Sequence, residues 1–233
     1  MSVEVSIVSV GHLPANERLE MEALYRTYYT GAPEVSFARD LTEKHWVVLL
    51  KSDNRICGFS TQRIIPFPEK GMNVLFSGDT IVDSAMRNQS GLAGGFGHLM
   101  DYLNARYDPS SLFWFLLCKG ARTYRFLPTF FKRYVPRPVT DTELEERLRY
   151  VATKLYPKAY LPEKGILSFT AHKDRLIADE IREDEASRYF RTLNPAWMEG
   201  DELCCFAPLS MDNLNRLGAR VIRSVTPRWD ISS

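Results

Sequence analysis

The sequence predicts an α/β fold with a mixed, mostly antiparallel central sheet and flanking helices, and three observations lead to this class. Residues 3–10 alternate apolar and polar side chains at a period of two, which is typical of a strand. Two apolar runs within 45–65 are joined by the turn sequence SDN, which predicts a hairpin. The continuous apolar run 111–118 is typical of a strand buried on both faces.

Helices and one further strand complete the first half of this pattern. The spacing of Met21, Leu24 and Tyr25 predicts a helix between the first strand and the hairpin. Residues 72–82 predict a strand in which Gly78 marks a bulge or a close approach of two backbones. A glycine-rich helix then leads to the strand 111–118, so the sheet is expected to become parallel at that crossover.

The second half of the chain predicts an α+β extension. Residues 1–136 are assigned to the core and residues 137–233 to the extension, packed on the core as one compact unit. The extension contains a helix that starts at the capping box Thr140-Asp141-Thr142-Glu143 and reaches Leu155, a short strand near 202–209 and a last helix running from Ser210 to Gly218. Residues 220–225 are expected to close the chain as a strand.

Composition excludes several classes of protein. The 233 residues carry a formal net charge of +1, which gives no electrostatic reason to expect a nucleic acid or an anionic membrane as partner. No apolar run reaches the length of a membrane span, and no basic signal segment opens the chain. The four cysteines and four histidines show no metal-binding spacing, so no metal is expected. A cytoplasmic location is the expectation.

The segment NQSGLAGGFGHLM, residues 88–100, concentrates four glycines at the start of a helix. Each glycine costs a helix interior about 1 kcal/mol relative to alanine, so the four must serve a purpose. One explanation is a turn whose backbone amides approach a phosphate at the helix N-terminus. The other is close packing of the helix on the sheet. The residues alone leave both open.

The order strand, helix, hairpin, long strand, glycine turn, helix and strand resembles the Gcn5-related N-acyltransferase (GNAT) superfamily over residues 3–134. Members hold the pyrophosphate of an acyl-CoA in a turn of pattern Gln/Arg-x-x-Gly-x-Gly/Ala. Here NQSGLA matches that pattern at its glycine and its alanine, and an asparagine stands where Gln or Arg is usual. The resemblance implies that acetyl-CoA or a longer acyl-CoA is bound by Asn88, Gln89, Ser90, Gly91, Leu92 and Ala93.

The resemblance also implies direct attack of an amine on the thioester in a ternary complex. Backbone amides near Ile81 and Val82 would polarise the thioester carbonyl. Asp79 is the candidate base; the alternative is that it caps a turn or bonds the bulged backbone. Tyr124, with Tyr134 as a second possibility, would protonate the leaving thiolate, and the alternative for either ring is packing.

The expected partner is a small-molecule amine acceptor. The extension leaves room for two other donors, an acyl carrier protein or an aminoacyl-tRNA. A non-catalytic binding scaffold of the same fold is the remaining hypothesis. The sequence does not determine the oligomeric state.

Overall fold

The computed structural model describes residues 3–30, 36–86, 90–169, 175–176 and 183–231. Its first half contains β1 Glu4–Ser9, α1 Ala15–Tyr28, β2 Tyr29–Thr30, α2 Ser36–Thr42, β3 Trp46–Ser52, β4 Arg55–Phe67, β5 Met72–Val82, α3 Gly91–Asn104, β6 Leu112–Cys118 and α4 Ala121–Phe130. Its second half contains α5 Thr142–Leu155, β7 Tyr160–Leu161, β8 Ile166–Leu167, β9 Arg175–Leu176, α6 Glu185–Leu193, β10 Glu202–Pro208, α7 Arg216–Arg223 and β11 Arg228–Asp230. Within the described ranges, no helix combines the length and the apolar character that a membrane span requires.

In the part of the chain that the structure describes, nine strands form one sheet in the order β11-β1-β3-β4-β5-β6-β10-β8-β7. The β1–β11 and β5–β6 pairs are parallel, and the other neighbours are antiparallel. The predicted fold class is therefore confirmed, including the parallel crossover through the glycine-rich helix. The extension adds strands to both edges of the sheet, since β10 pairs with β6 and β11 pairs with β1. The boundary at residue 136 stays a prediction.

Helices cover both faces of the sheet because its central strands are apolar on both sides. Along β3, Val47 and Leu49 belong to the core beneath α1 and α2, whereas Val48 and Leu50 belong to the core beneath α3. Along β6, Phe113 and every second residue after it pack under α5, on the same side of the sheet as α1 and α2. The two sides are called the α1 face, which carries α1, α2 and α5, and the α3 face, which carries α3, α4, α6 and α7.

The end of the chain differs from the prediction. The last helix, α7, begins after Asn215, whose side chain accepts hydrogen bonds from the backbone amides of Leu217 and Gly218. Ser210 instead precedes a single 3-10 turn, and the closing strand is β11. Gly218 lies inside this helix. A Cβ there would approach the Phe130 carbonyl oxygen to 2.9 Å, so the absence of a side chain allows this contact. A contact with α4, not a helix end, explains this glycine.

The predicted bulge in β5 is confirmed. Ser60 pairs with Thr80 and Gln62 with Ser77, so Thr61 alone opposes the two residues at 78 and 79. A Cβ on Gly78 would lie 2.6 Å from Thr61 Oγ1 and 2.8 Å from Lys44 Cε, so a larger residue here would force these side chains to move.

The bulge separates β5 from its other neighbour. The parallel β5–β6 pairing runs from Asn73 opposite Leu112 to Ser77 opposite Leu116 and ends there. Because a bulge bends the strand that contains it, the rest of β5 diverges from β6. The two strands enclose a gap in the middle of the sheet.

Close packing accounts for the glycines of α3. An added Cβ would meet a neighbouring side chain at 3.0 Å or less at all four positions: Gly91 at Leu50, Gly95 at Val48, Gly94 at Val225 and Gly97 at Ile222. Gly91 and Gly95 therefore bring the helix onto the sheet, and Gly94 and Gly97 bring α7 and the residues after it onto the helix. This supports the packing explanation for the glycines. A phosphate would then have to be bound by other residues of the segment, those that face away from the sheet and from α7.

We expect Gly97→Ala to destabilise the protein. Its Cβ would lie 2.1 Å from Ile222 Cγ1, and overpacking of this kind costs about 1–3 kcal/mol, more than the roughly 1 kcal/mol that alanine gains in helix propensity. Urea unfolding of Gly97→Ala, Ile222→Ala and the double variant measures the coupling. The double variant should be less destabilised than the sum of the singles. A single Gly97→Ala variant as stable as the parent would contradict the packing explanation.

Candidate active site

A cavity of about 780 Å³ occupies the gap between β5 and β6. Its wall includes Ser90, Leu92, Ala93 and Phe96 of α3 and the first turns of α4, which lie on the α3 face. It also includes residues of α1 and α2, and Tyr156 at the end of α5, which lie on the α1 face. The cavity therefore crosses the sheet and joins its two faces.

Two helix N-termini border the cavity on the α3 face. The first helical hydrogen bond of α3 runs from the Gly94 amide to the Ser90 carbonyl, so the preceding amides have no partner within the helix. Residues 121–123, which form the first turn of α4, also line the cavity, and Gly120 is the N-cap of that helix. Each N-terminus carries about half a positive charge, and the side chain of Arg122 lines the cavity beside them. This end of the cavity favours an anion.

The residues predicted to bind the donor fall into three groups. Ser90, Leu92, Ala93, Ile81 and Val82 line the cavity. The other member of the turn that can be placed, Gly91, contacts Leu50 and Val5 of the sheet and is absent from the described wall. Asn88 and Gln89 lie outside the described residues.

A chain of buried polar side chains supports the bulge on the α3 face. Trp114 Nε1 donates to Ser77 Oγ at 2.8 Å, and Ser77 Oγ donates to Gln62 Oε1 at 2.7 Å. Gln62 Nε2 donates to Ser60 Oγ at 2.7 Å, and Ser60 Oγ lies 2.7 Å from Thr80 Oγ1. Because Trp114 can only donate, it sets the direction of the chain at one end. The chain holds two hydroxyls, of Ser60 and Thr80, against the cavity.

On the α1 face the cavity contains two lysines, each paired with a carboxylate. Lys119 Nζ lies 3.5 Å from Glu202 Oε1, and Lys44 Nζ lies 2.7 Å from Asp40 Oδ2. Burial by itself lowers the pKa of Lys119, but the negative charges of Glu202 and Asp79 outweigh it and raise that pKa above its usual value. Lys119 is therefore a cation at neutral pH. The Lys44 side chain is only 3% exposed.

Aromatic rings complete the α1-face wall. The rings of Tyr25 and Tyr29 are stacked at 5.0 Å, and Phe37 lies 5.2 Å from Tyr25. Tyr156 and Phe169, which also line the cavity, meet edge to face at 6.3 Å. Burial, followed by the charge of Glu202, raises the pKa of Tyr156, so its hydroxyl keeps its proton at neutral pH.

The two predicted catalytic residues lie in different surroundings. Asp79 lines the cavity at the bulge, near enough to Lys119 to favour the charged form of that lysine. Tyr124 is 1% exposed and is not among the residues described as lining the cavity. Its hydroxyl donates to the Pro136 carbonyl at 2.9 Å, and burial raises the pKa of its phenol. This position supports packing, the alternative considered for Tyr124 from the sequence.

No group of three or more His, Cys, Asp or Glu suited to a metal ion occurs in the ranges that the structure describes. His98, which lies about two turns into α3, has its Nε2 2.7 Å from the Val225 carbonyl oxygen and thus joins α3 to the segment after α7. It serves the fold and not the cavity.

Sequence reasoning missed the charged residues of the α1 face. Lys119 directly follows the buried strand β6, and Glu202 opens the buried strand β10. A charged residue at the end of a fully apolar strand is a signal that was available, because such a residue must find a partner when buried. The missing information was that these two ends lie side by side.

No protein-family model matches the chain, and no curated protein matches it. Among solved structures, it is similar to the GNAT-family N-acetyltransferase YhbS from Escherichia coli in complex with CoA, at 16% identity and a TM-score of 0.41, covering 56% of this chain and 70% of that one. It is also similar to Naa50 from Arabidopsis thaliana in complex with the bisubstrate analogue CoA-Ac-MVNAL, at 12% identity and a TM-score of 0.42, covering 60% and 92%.

A third match is glucosamine-6-phosphate N-acetyltransferase from Arabidopsis thaliana, at 15% identity and a TM-score of 0.35, covering 46% of this chain and 78% of that one. YhbS is named as a member of the GNAT family, the superfamily that the order of elements and the glycine turn resemble. At these identities and TM-scores, the matches are similarities and no activity follows from them.

Proposed function

We propose that the protein is an N-acyltransferase that moves an acyl group from a thioester donor, acetyl-CoA or a longer acyl-CoA, to the amine of a small molecule. The observation that carries this proposal is the cavity that crosses the sheet at the β5–β6 gap. It joins an anion-favouring end to an end with paired charges and aromatic rings. Two substrates can therefore enter from opposite faces and meet within the sheet.

The α3-face end suits the donor. The phosphates of CoA would lie at the first turns of α3 and α4, near Ala93 and Arg122, where amides and a guanidinium attract negative charge. The pantetheine arm would run between β5 and β6, where the two strands no longer pair beyond Ser77. A volume of about 780 Å³ is in the range of pockets that bind ligands of this size.

The reaction would take place at the bulge. The amine nitrogen attacks the thioester carbonyl, whose oxygen is polarised by backbone amides near Ile81 and Val82. A carbon–nitrogen bond forms and the carbon–sulfur bond breaks. The proton of the attacking amine passes to the Asp79 carboxylate, and CoA departs as its thiolate. No acyl-enzyme is formed.

Other donors remain outcomes of the test. An acyl carrier protein offers the same phosphopantetheine arm, and an aminoacyl-tRNA offers phosphates to the same helix termini. A binding scaffold would take up ligands without releasing thiol.

Ala93→Glu separates donor binding from folding. A carboxylate in the first turn of α3 interacts favourably with the helix dipole, so stability without ligand should be kept or raised. The same charge should repel the phosphates and weaken CoA binding at least about tenfold, which is about 1.4 kcal/mol. Calorimetric titration with CoA measures this, with Ala93→Gln as the uncharged control. Equal affinity of the parent and Ala93→Glu for CoA would show that the phosphates do not bind at the first turn of α3.

Asp79→Asn tests the base. Loss of the proton acceptor should lower kcat by about 100-fold or more, with CoA affinity close to that of the parent. The rate of thiol release from acetyl-CoA measures kcat. Asp53→Asn is the matched control: Asp53 stands in the exposed hairpin turn at φ 51°, where asparagine is also tolerated. Parental turnover in Asp79→Asn would exclude Asp79 as the base.

Tyr124→Phe distinguishes the two roles considered for that residue. An acid role predicts a tenfold to thousandfold fall in kcat. The hydrogen bond to Pro136 leads us to expect kcat within a few-fold of the parent and a loss of about 1 kcal/mol in unfolding free energy. Thiol release and urea unfolding of the same preparation give both numbers. A fall in kcat without a fall in the free energy of unfolding would instead support Tyr124 as the acid that protonates the thiolate.

A further inference from the structure

On the α3 face, part of the cavity is an apolar groove between α3 and α4. Six uncharged side chains of the cavity wall form this groove: Leu92, Phe96, Trp114, Leu116, Phe126 and Phe130. Along α4 the wall changes from Arg122 through Phe126 to Phe130, which stand four residues apart on one side of the helix. A ligand lying along α4 would therefore pass from a charged to an apolar wall within about 12 Å, the rise over eight helical residues.

Strand β6 forms the floor of the groove and sets its direction. Because α4 begins at Ala121, directly after β6 ends at Cys118, the first turn of α4 lies at that end of the strand. Leu116, opposite Ser77, is the last residue of β6 that pairs with β5, so it marks the point where the strands part. Trp114 lies two residues earlier and belongs to the core of the same face. A chain that enters from the helix N-termini therefore passes Leu116 before it reaches Trp114.

Four aromatic rings form the far end of the groove. Phe96 lies 4.5 Å from Trp114, and Phe126 lies 5.6 Å from Trp114 and 4.7 Å from Phe130, measured between ring centres. The only polar atom among these four rings, Trp114 Nε1, donates to Ser77 Oγ at 2.8 Å. The indole is thus satisfied by the protein, and the rings offer a ligand apolar contact.

The α1-face end of the cavity is less suited to an alkyl chain. Its wall carries the charged side chains of Asp40, Lys44, Lys119 and Glu202. An alkyl chain placed against charged groups would exclude water from them without supplying a hydrogen bond, which costs free energy. Contact of the same chain with rings and leucines removes apolar surface from water and is favourable.

We propose that the donor is an acyl-CoA with an acyl chain longer than acetyl, and that this chain lies in the apolar groove with its end near Phe130. This inference rests on the proposed function, because it specifies the donor of the same cavity. It is carried by the change from charged to apolar wall along α4 and by the position of Leu116 where β5 and β6 part. An acetyl group would be too short to reach the rings.

Calorimetric titration of the intact protein tests the inference without requiring an acceptor. The ligands are CoA and its acetyl, butyryl, hexanoyl, octanoyl and decanoyl thioesters, each kept below the concentration at which it forms micelles. Each methylene that enters the groove should raise the affinity by up to about fourfold, until the chain reaches the end of the groove. Octanoyl-CoA should therefore bind at least about tenfold more tightly than acetyl-CoA.

The outcomes separate this inference from the function on which it rests. If octanoyl-CoA binds no more tightly than acetyl-CoA, the inference is overturned, while a CoA donor site remains supported. If neither CoA nor any of its thioesters binds, the CoA donor of the proposed function is overturned, and the inference with it.

A truncation locates the end of the chain. Phe130→Ala should lengthen the groove, so the affinity should continue to rise to a longer acyl chain than in the parent protein. Phe67→Ala is the matched control, because Phe67 is a ring on the α1 face that is absent from the described wall, and it should keep the parental limit. Both variants lose a buried ring, so folding is checked by urea unfolding, and Phe130→Leu gives the same measurement with a smaller loss of volume.

Two results with these variants would contradict the position of the chain. One is a folded Phe130→Ala and a folded Phe130→Leu that both keep the parental chain-length limit. The other is a Phe130→Ala variant that loses as much affinity for CoA itself as for octanoyl-CoA, because that would indicate that another part of CoA occupies the groove.

Discussion

The bulge at residues 78 and 79 of β5 is the constraint on which the rest of the structure depends. Two residues of β5 oppose Thr61 alone, so the strand bends and leaves β6 after Ser77. The gap in the sheet begins where this pairing ends. A Cβ at Gly78 would displace Thr61 Oγ1 and the Lys44 side chain, so the glycine lets these side chains pack against the bulge. It also places Asp79 at the wall of the cavity.

A gap within a sheet leaves polar groups that must be satisfied, and two arrangements do so here. On the α3 face, the chain from Trp114 through Gln62 to Thr80 forms hydrogen bonds among buried side chains next to the bulge. On the α1 face, two lysines are matched with carboxylates. Buried groups of this kind are costly unless paired, so both arrangements keep the cavity polar and the sheet intact.

The glycine-rich helix serves the same geometry in another way. Its glycines bring α3 within contact of the sheet on one side and of α7 on the other. This close packing holds the first turn of α3 against the cavity, whose wall includes Ala93. Packing by the glycines and the phosphate binding proposed above involve different residues of the same segment, so the two are compatible.

The sequence by itself determined the mixed sheet, the order of β1, α1, the hairpin β3–β4, β5, the glycine-rich helix and β6, and the position of the bulge. Each of these follows from local signals: a period of two in β1, an apolar run in β6, and a glycine within β5. Two further features depended on neighbours elsewhere in the chain. The Tyr124 hydroxyl bonds to Pro136, and the glycine inside α7 is explained by its contact with Phe130. The pairing of Lys119 with Glu202 was equally invisible, because strand order decides which ends meet. Only the tertiary structure brings these residues together, since burial and charge pairing are properties of side chains that meet in space.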